Sequence, residues 1–183
     1  MIAVAIVCAA AISQAATISW GLSSPTGPDG EKATAGWVTY LVDSSKYAAF
    51  TALEGAAVAK FFDTTGNYLE QGSVTSGRGG AVSANFAEQG SYGIGDTGSA
   101  FMVLFDATSA TAAENFAYTA IGSTTIAADG SDGSVNFGTF ADAMKATGSS
   151  AGWQSTAGSV PEPTSGLLLL IGMAGLALRR RRA

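Results

Sequence analysis

The sequence predicts a mainly β fold, an antiparallel, sandwich-like sheet domain with one helical segment, followed by a C-terminal transmembrane helix. Three observations lead there. Short alternating or apolar runs recur between Gly-, Pro- and Ser-rich turns, roughly every 8 to 12 residues. One stretch, from Asp43 to Asp63, spaces its apolar residues for a helix. The chain closes on an uncharged run from Ser165 to Leu178, followed by Arg179, Arg180, Arg181 and Arg182.

Met1 to Ile12 is continuously apolar, and Ser13-Gln14-Ala15 places small residues at the −3 and −1 positions for cleavage before Ala16. This reads as a secretory signal peptide. No Lys or Arg precedes the apolar run, so either the start is assigned too late or the N-terminus is weakly charged. Cys8, the only cysteine, lies inside this run behind a poor lipobox, Ala5-Ile6-Val7.

From Ala16 to Leu22, Ile18, Trp20 and Leu22 alternate with Thr17, Ser19 and Gly21, the period of a half-buried strand. Residues 23–32, with two prolines and two glycines, form a loop. Residues 35–42 are apolar on both faces and predict a central strand. Asp43-Ser44-Ser45 offers a helix N-cap. Phe50, Leu53, Ala57 and Phe61 then fall on one helical face, which Gly55 can split into two short helices. Residues 68–75 and 81–86 flank the hairpin-like connection Ser76 to Gly80. Residues 100–105 (AFMVLF) read as a buried strand, residues 116–121 and 124–127 as a pair across Gly122-Ser123, and residues 134–140 as another strand. Gly148 to Ser159 is Ser, Gly and Ala around Trp153, a flexible spacer in which that tryptophan is expected to be exposed.

Composition excludes several chemistries. The body from Ala16 to Val160 has five basic and thirteen acidic residues, a net charge of −8, which argues against nucleic acid as a partner. It has no histidine and no cysteine, so histidine-based triads, the usual zinc sites and cysteine nucleophiles are absent. No Asn-x-Ser/Thr acceptor occurs.

Four patterns weigh less than their plain structural explanations. Gly93-Ile94-Gly95-Asp96-Thr97-Gly98 fits GxGxxG, but a strand-like run follows it where a dinucleotide site needs a helix. Asp129-Gly130-Ser131-Asp132-Gly133 could offer oxygens to calcium, yet turn chemistry explains it equally. Asp96 and Asp106 read as turn and strand-end residues. Glu54, Glu70, Glu88 and Glu114 are available to a glycoside hydrolase, which needs two converging carboxylates. Trp20, Trp37 and Trp153 could stack on sugars, Trp20 and Trp37 being expected in strands of the core. No catalytic, cofactor-binding or metal residue is expected, and the chain is read as a non-enzyme.

The tail is more specific. Pro161-Glu162-Pro163 cannot be helical, because both prolines fix φ and remove donors. The fourteen residues 165–178, at about 1.5 Å each, make a helix of about 21 Å. Its closing arginines can snorkel to complete a span and are placed in the cytoplasm by the positive-inside rule. This order of Pro-Glu-Pro, apolar helix and Arg cluster resembles the PEP-CTERM sorting signal of Gram-negative and related bacteria, over about 24 of the 183 residues. The resemblance implies cutting by an exosortase, an integral-membrane transpeptidase, with Pro161, Glu162 and Pro163 as the recognition element. It further implies that Arg179 to Arg182 hold the tail in the inner membrane until cleavage. The expected organisation is a signal peptide over 1–15, a β-rich extracellular domain over 16–147, a spacer over 148–160 and a sorting segment over 161–183 with its transmembrane helix at 165–178. The expected function is an exported, cell-surface or extracellular-matrix protein of structural or adhesive type. The alternatives are a carbohydrate-binding module on exopolysaccharide and an extracellular hydrolase.

Overall fold

The computed structural model describes residues 15–139 and 152–157. The signal peptide up to residue 14, the Pro-Glu-Pro element, the helix at 165–178 and the arginine cluster lie outside the described residues. Among the described residues no helix is long and apolar enough to cross a membrane.

The strands are β1 (Ala16–Ser23), β2 (Val38–Asp43), β3 (Glu70–Ser73), β4 (Thr75–Ser76), β5 (Val82–Tyr92), β6 (Thr97–Phe105), β7 (Asn115–Tyr118), β8 (Gly122–Thr125), β9 (Gly133–Thr139) and β10 (Gln154–Ser155). Two short helices, α1 (Tyr47–Thr51) and α2 (Ala56–Phe61), lie between β2 and β3. A four-stranded sheet runs in the order β4-β5-β1-β9. A six-stranded sheet runs β10-β7-β6-β2-β3, with β8 also on β6.

The expected sandwich is present, with a third layer. On β1, Ile18, Trp20 and Leu22 are buried, and with Ala84 and Phe86 of β5 they meet Leu41, Ala100, Met102, Leu104 and Ala117 of the large sheet. Small residues on the large sheet keep this layer thin. At Gly122 an added Cβ would lie 2.7 Å from Val135 and Phe137 side-chain carbons of the facing sheet. The opposite face of the large sheet presents Val38, Tyr40, Val42, Phe101, Val103, Phe105, Phe116 and Tyr118 to the helical layer. β6 is therefore buried on both faces, which is why AFMVLF shows no alternation.

Asp43 caps the helical stretch as expected, its carboxylate accepting from the Ser45 amide at 2.8 Å. The apolar face expected across both helices is not continuous. Gly55 takes φ 56°, ψ −136° and separates α1 from α2. The second helix is thereby turned so that Val58, Ala59 and Phe62 are buried, Phe61 is half-buried and Ala57 is exposed. Phe50 is the hub of this layer, with five rings at 5.4 to 6.1 Å. Tyr40 stacks on Phe62 at 4.1 Å.

Three expectations about pairing need correction. The run at 68–75 is two strands. β3 belongs to the large sheet and β4 to the small one, the chain crossing at buried Val74, whose amide donates to the Trp37 carbonyl. β7 and β8 do not pair with each other. They lie in tandem along one edge of β6, opposite Val103–Phe105 and Thr97–Ala100 respectively. Between them Thr119 continues the ladder with its side chain, Oγ1 accepting from the Met102 amide at 3.0 Å while its own amide donates to the Met102 carbonyl. Finally, the sandwich is not wholly antiparallel, since β9 runs parallel to β1. The chain leaves the large sheet after β8, turns at 127–130 and enters the small one beside β1 in the same direction.

Candidate functional site

The body meets its sorting tail at residues 152–157, which are docked against it. Trp153 is half-buried. Its indole Nε1 donates to the Thr26 carbonyl at 3.1 Å, and its ring meets Trp37 edge to face at 5.9 Å and 75°. Two loops shape the receiving cleft. The turn at Thr34–Trp37, closed by the Trp37 amide on the Thr34 carbonyl, holds Trp37 just ahead of β2 rather than in a strand. The 23–32 loop folds back on itself through a bridge between Thr26 and Lys32. Gly27 leaves room there, because a Cβ on it would lie 2.9 Å from the Trp37 ring.

Beyond Trp153 the chain adds an edge strand to the large sheet. Gln154 and Ser155 pair with Phe116 and Asn115 of β7. The Thr156 amide donates to the Glu114 carbonyl at 2.9 Å, and its hydroxyl donates to the Ala113 carbonyl at 2.5 Å. The shoulder that receives it is itself fixed. Asp106 Oδ1 accepts from the Glu114 and Asn115 amides at 3.0 and 2.9 Å, and Oδ2 from the Asn115 side-chain amide at 2.7 Å. Asp106 is thus the strand-end residue that was expected, with a further role in shaping the dock. The spacer reading of 148–160 does not hold for its described part, and Trp153 is a packed residue, not an exposed one. Nothing local in a Ser/Gly/Ala stretch signals this, because the hydrogen-bond acceptor of Trp153 lies 127 positions away.

Among the described residues the acidic candidates do not converge on an ion, and the Glu88 side chain lies outside them. Asp129 closes a tight turn, accepting from the Ser131 amide and hydroxyl at 3.0 and 2.7 Å, and these bonds hold its carboxyl below the ordinary value. Asp132 accepts from the Thr17 amide at 2.8 Å, tying the turn to β1. Asp96 caps its own turn through the Gly93 amide at 2.7 Å, and β6 follows directly, so the GxGxxG match is a strand-to-strand turn. Among the described residues no group of three or more His, Cys, Asp or Glu side chains could hold a metal. Glu54 sits between the helices, Glu70 opens β3 and Glu114 precedes β7, on separate parts of the fold.

The outer face of the small sheet is different in kind. Facing away from the core, Ser19 and Gly21 of β1 run beside Asn85 of β5 and Ser134 and Asn136 of β9, around a shallow hollow of about 320 Å³. Among the described residues no charged side chain lines it. Trp20 is 1 % exposed, so its ring belongs to the core and is not a sugar-stacking platform. Of the signal-cleavage residues, Ser13 lies outside the described residues, Ala15 is exposed and Ala16 opens β1, 2 % exposed and paired with Tyr92.

Comparison with known proteins gives one match. Residues 159–182 match the PEP-CTERM protein-sorting motif, beginning two positions after Ala157, the last residue of the docked segment. The match takes in Pro161, Glu162, Pro163 and Arg179 to Arg182. No curated protein matches the chain. No solved structure matches it either.

Proposed function

We propose, from the premise that the chain carries a PEP-CTERM sorting motif and so is an exported protein processed by an exosortase, that its body is a structural or adhesive component of the cell surface or extracellular matrix. The motif at 159–182 is the observation that carries this reading. Pro161, Glu162 and Pro163 serve as the recognition element, and Arg179 to Arg182 as the stop that holds the precursor in the inner membrane. The signal peptide before Ala16 starts export. The body is not catalytic; it is acidic, which favours solubility outside the cell.

A second reading has a specific observation in its favour. The uncharged hydroxyl and amide groups of Ser19, Asn85, Ser134 and Asn136 share one open sheet face, and such groups suit a neutral polysaccharide. A glycan array in which Asn85→Ala and Asn136→Ala bind as the parent does would remove it.

The main reading is tested by the intact mass of the protein recovered from outer fractions of its host. The expected mass begins at Ala16 and ends near Pro161, and Glu162→Ala is expected to accumulate with its tail uncut. Normal processing of Glu162→Ala would overturn the assigned recognition element. A parent protein that keeps Arg179 to Arg182 would replace a processed protein with a permanently tethered one.

A further inference from the structure

The docked segment ends so close to the sorting motif that the two cannot act independently. Three residues, and so four residue-to-residue steps, separate Ala157 from Pro161. At the fully extended limit of about 3.4 Å per residue they reach about 14 Å. A folded body of about 140 residues has a radius of gyration of about 14 Å, so it is wider than this leash is long. With residues 152–157 docked, chain length alone keeps the recognition tripeptide within about 14 Å of Ala157 on the body. With the segment released, the nearest described element behind it is β9, ending at Thr139. Between Thr139 and Pro161 there are 22 residue-to-residue steps, an upper bound of about 75 Å.

We infer that residues 152–157 are a strap that regulates processing by setting leash length, with Trp153 and Thr156 as its positioning residues. Docked, the strap holds the body against the cleavage element and hinders the enzyme; released, it opens the approach. The inference rests on the exosortase reading above. The attachment is of a kind that can exchange. The strap joins β7 through a two-residue strand at the sheet edge, and its anchors are one indole in a loop-built cleft and the Thr156 pair of hydrogen bonds. The apparent rate of cutting scales with the fraction of chains in the released state.

The test is a pulse-chase of the full-length protein in its host, following loss of the Arg179 to Arg182 tail by mass. Three variants are compared with the parent: Trp153→Ala with Thr156→Val, an insertion of ten Gly/Ser residues directly after Ala157, and the two combined. The substitutions release the strap. The insertion lengthens the leash while the strap stays docked, and it leaves every contact of the body intact. The first two are each expected to speed cutting about threefold to tenfold, and the combination no further. Equal rates in the parent and the insertion variant would overturn the inference. So would slower cutting of the strap variant that the insertion does not correct, since the strap would then support the body and not restrain the enzyme. A parent that is never cut would remove the exosortase reading and the strap's role together, an outcome distinct from cutting at a rate insensitive to leash length.

Discussion

The two sheets solve the same burial problem under different constraints. The large sheet is covered on both faces, by the small sheet on one side and the helical layer on the other. Along β6, neighbouring residues Phe101 and Met102 therefore both reach full burial, one in each layer. Among the described residues the small sheet is covered once. Along β1, Trp20 is buried and Ser19 is exposed on the outer face. The difference teaches where each sheet can change. Among the described residues the large one has no free face, whereas the small one has an outer face on which Ser19, Asn85, Ser134 and Asn136 are exposed.

Truncation scanning would break this comparison most directly. Phe101→Ala and Met102→Ala are each expected to cost about 2–5 kcal/mol in denaturant unfolding, although they are adjacent. In β1, Trp20→Ala is expected to cost about 3–5 kcal/mol and Ser19→Ala less than about 0.5 kcal/mol. A large loss for Ser19→Ala would mean that something in the body covers the outer face.

A smaller effect sharpens the contrast within the large sheet. Thr119 and Thr39 are both buried, at 0 % and 1 % exposure. Thr119 Oγ1 completes the β6 ladder, whereas Thr39 Oγ1 has no hydrogen-bond partner among the described residues. The same substitution should therefore act with opposite signs. Thr119→Val is expected to destabilise by about 1–3 kcal/mol by orphaning the Met102 amide, and Thr39→Val to be neutral or stabilising by about 1 kcal/mol. Matching melting shifts in the same direction would refute the assignment of either hydroxyl.

The smallest effect belongs to the turn that leads into β9. The Asp129 carboxyl sits below its ordinary value of 3.8, chiefly through the Ser131 amide. Its folded state therefore favours the charged form more than the unfolded state does. The resulting stabilisation is full above about pH 3.8 and is lost as pH falls through the lower folded value. Asp129→Asn is expected to flatten this acid limb slightly and leave stability at neutral pH nearly unchanged, as read from melting temperature against pH.

What could be read from sequence follows from the same contrast. β1 was legible because one face is wet, and its alternation records that. The double coverage of β2 and β6 was legible as continuous apolar runs. The Asp43 cap and the Gly55 break were legible because each acts within a few residues. The partners were not legible. Nothing near residues 116–125 says that β7 and β8 share an edge of β6, and nothing near Gly133 says that β9 will run parallel to β1. The PEP-CTERM motif was plain because its three parts are contiguous. The dock for Trp153 was hidden because Thr26 and Trp37 come from the other end of the chain.

The position of β1 carries a consequence for timing. Ile18 pairs with Gln89 on one side and with Gly133 on the other, so the first strand of the body is an inner strand of its sheet. A polypeptide threaded outward N-terminus first delivers β1 long before either neighbour. The small sheet cannot close until Thr139 has followed, and contacts this distant in sequence form slowly. The topology thus delays its own completion. The small sheet is complete only once β9 has arrived.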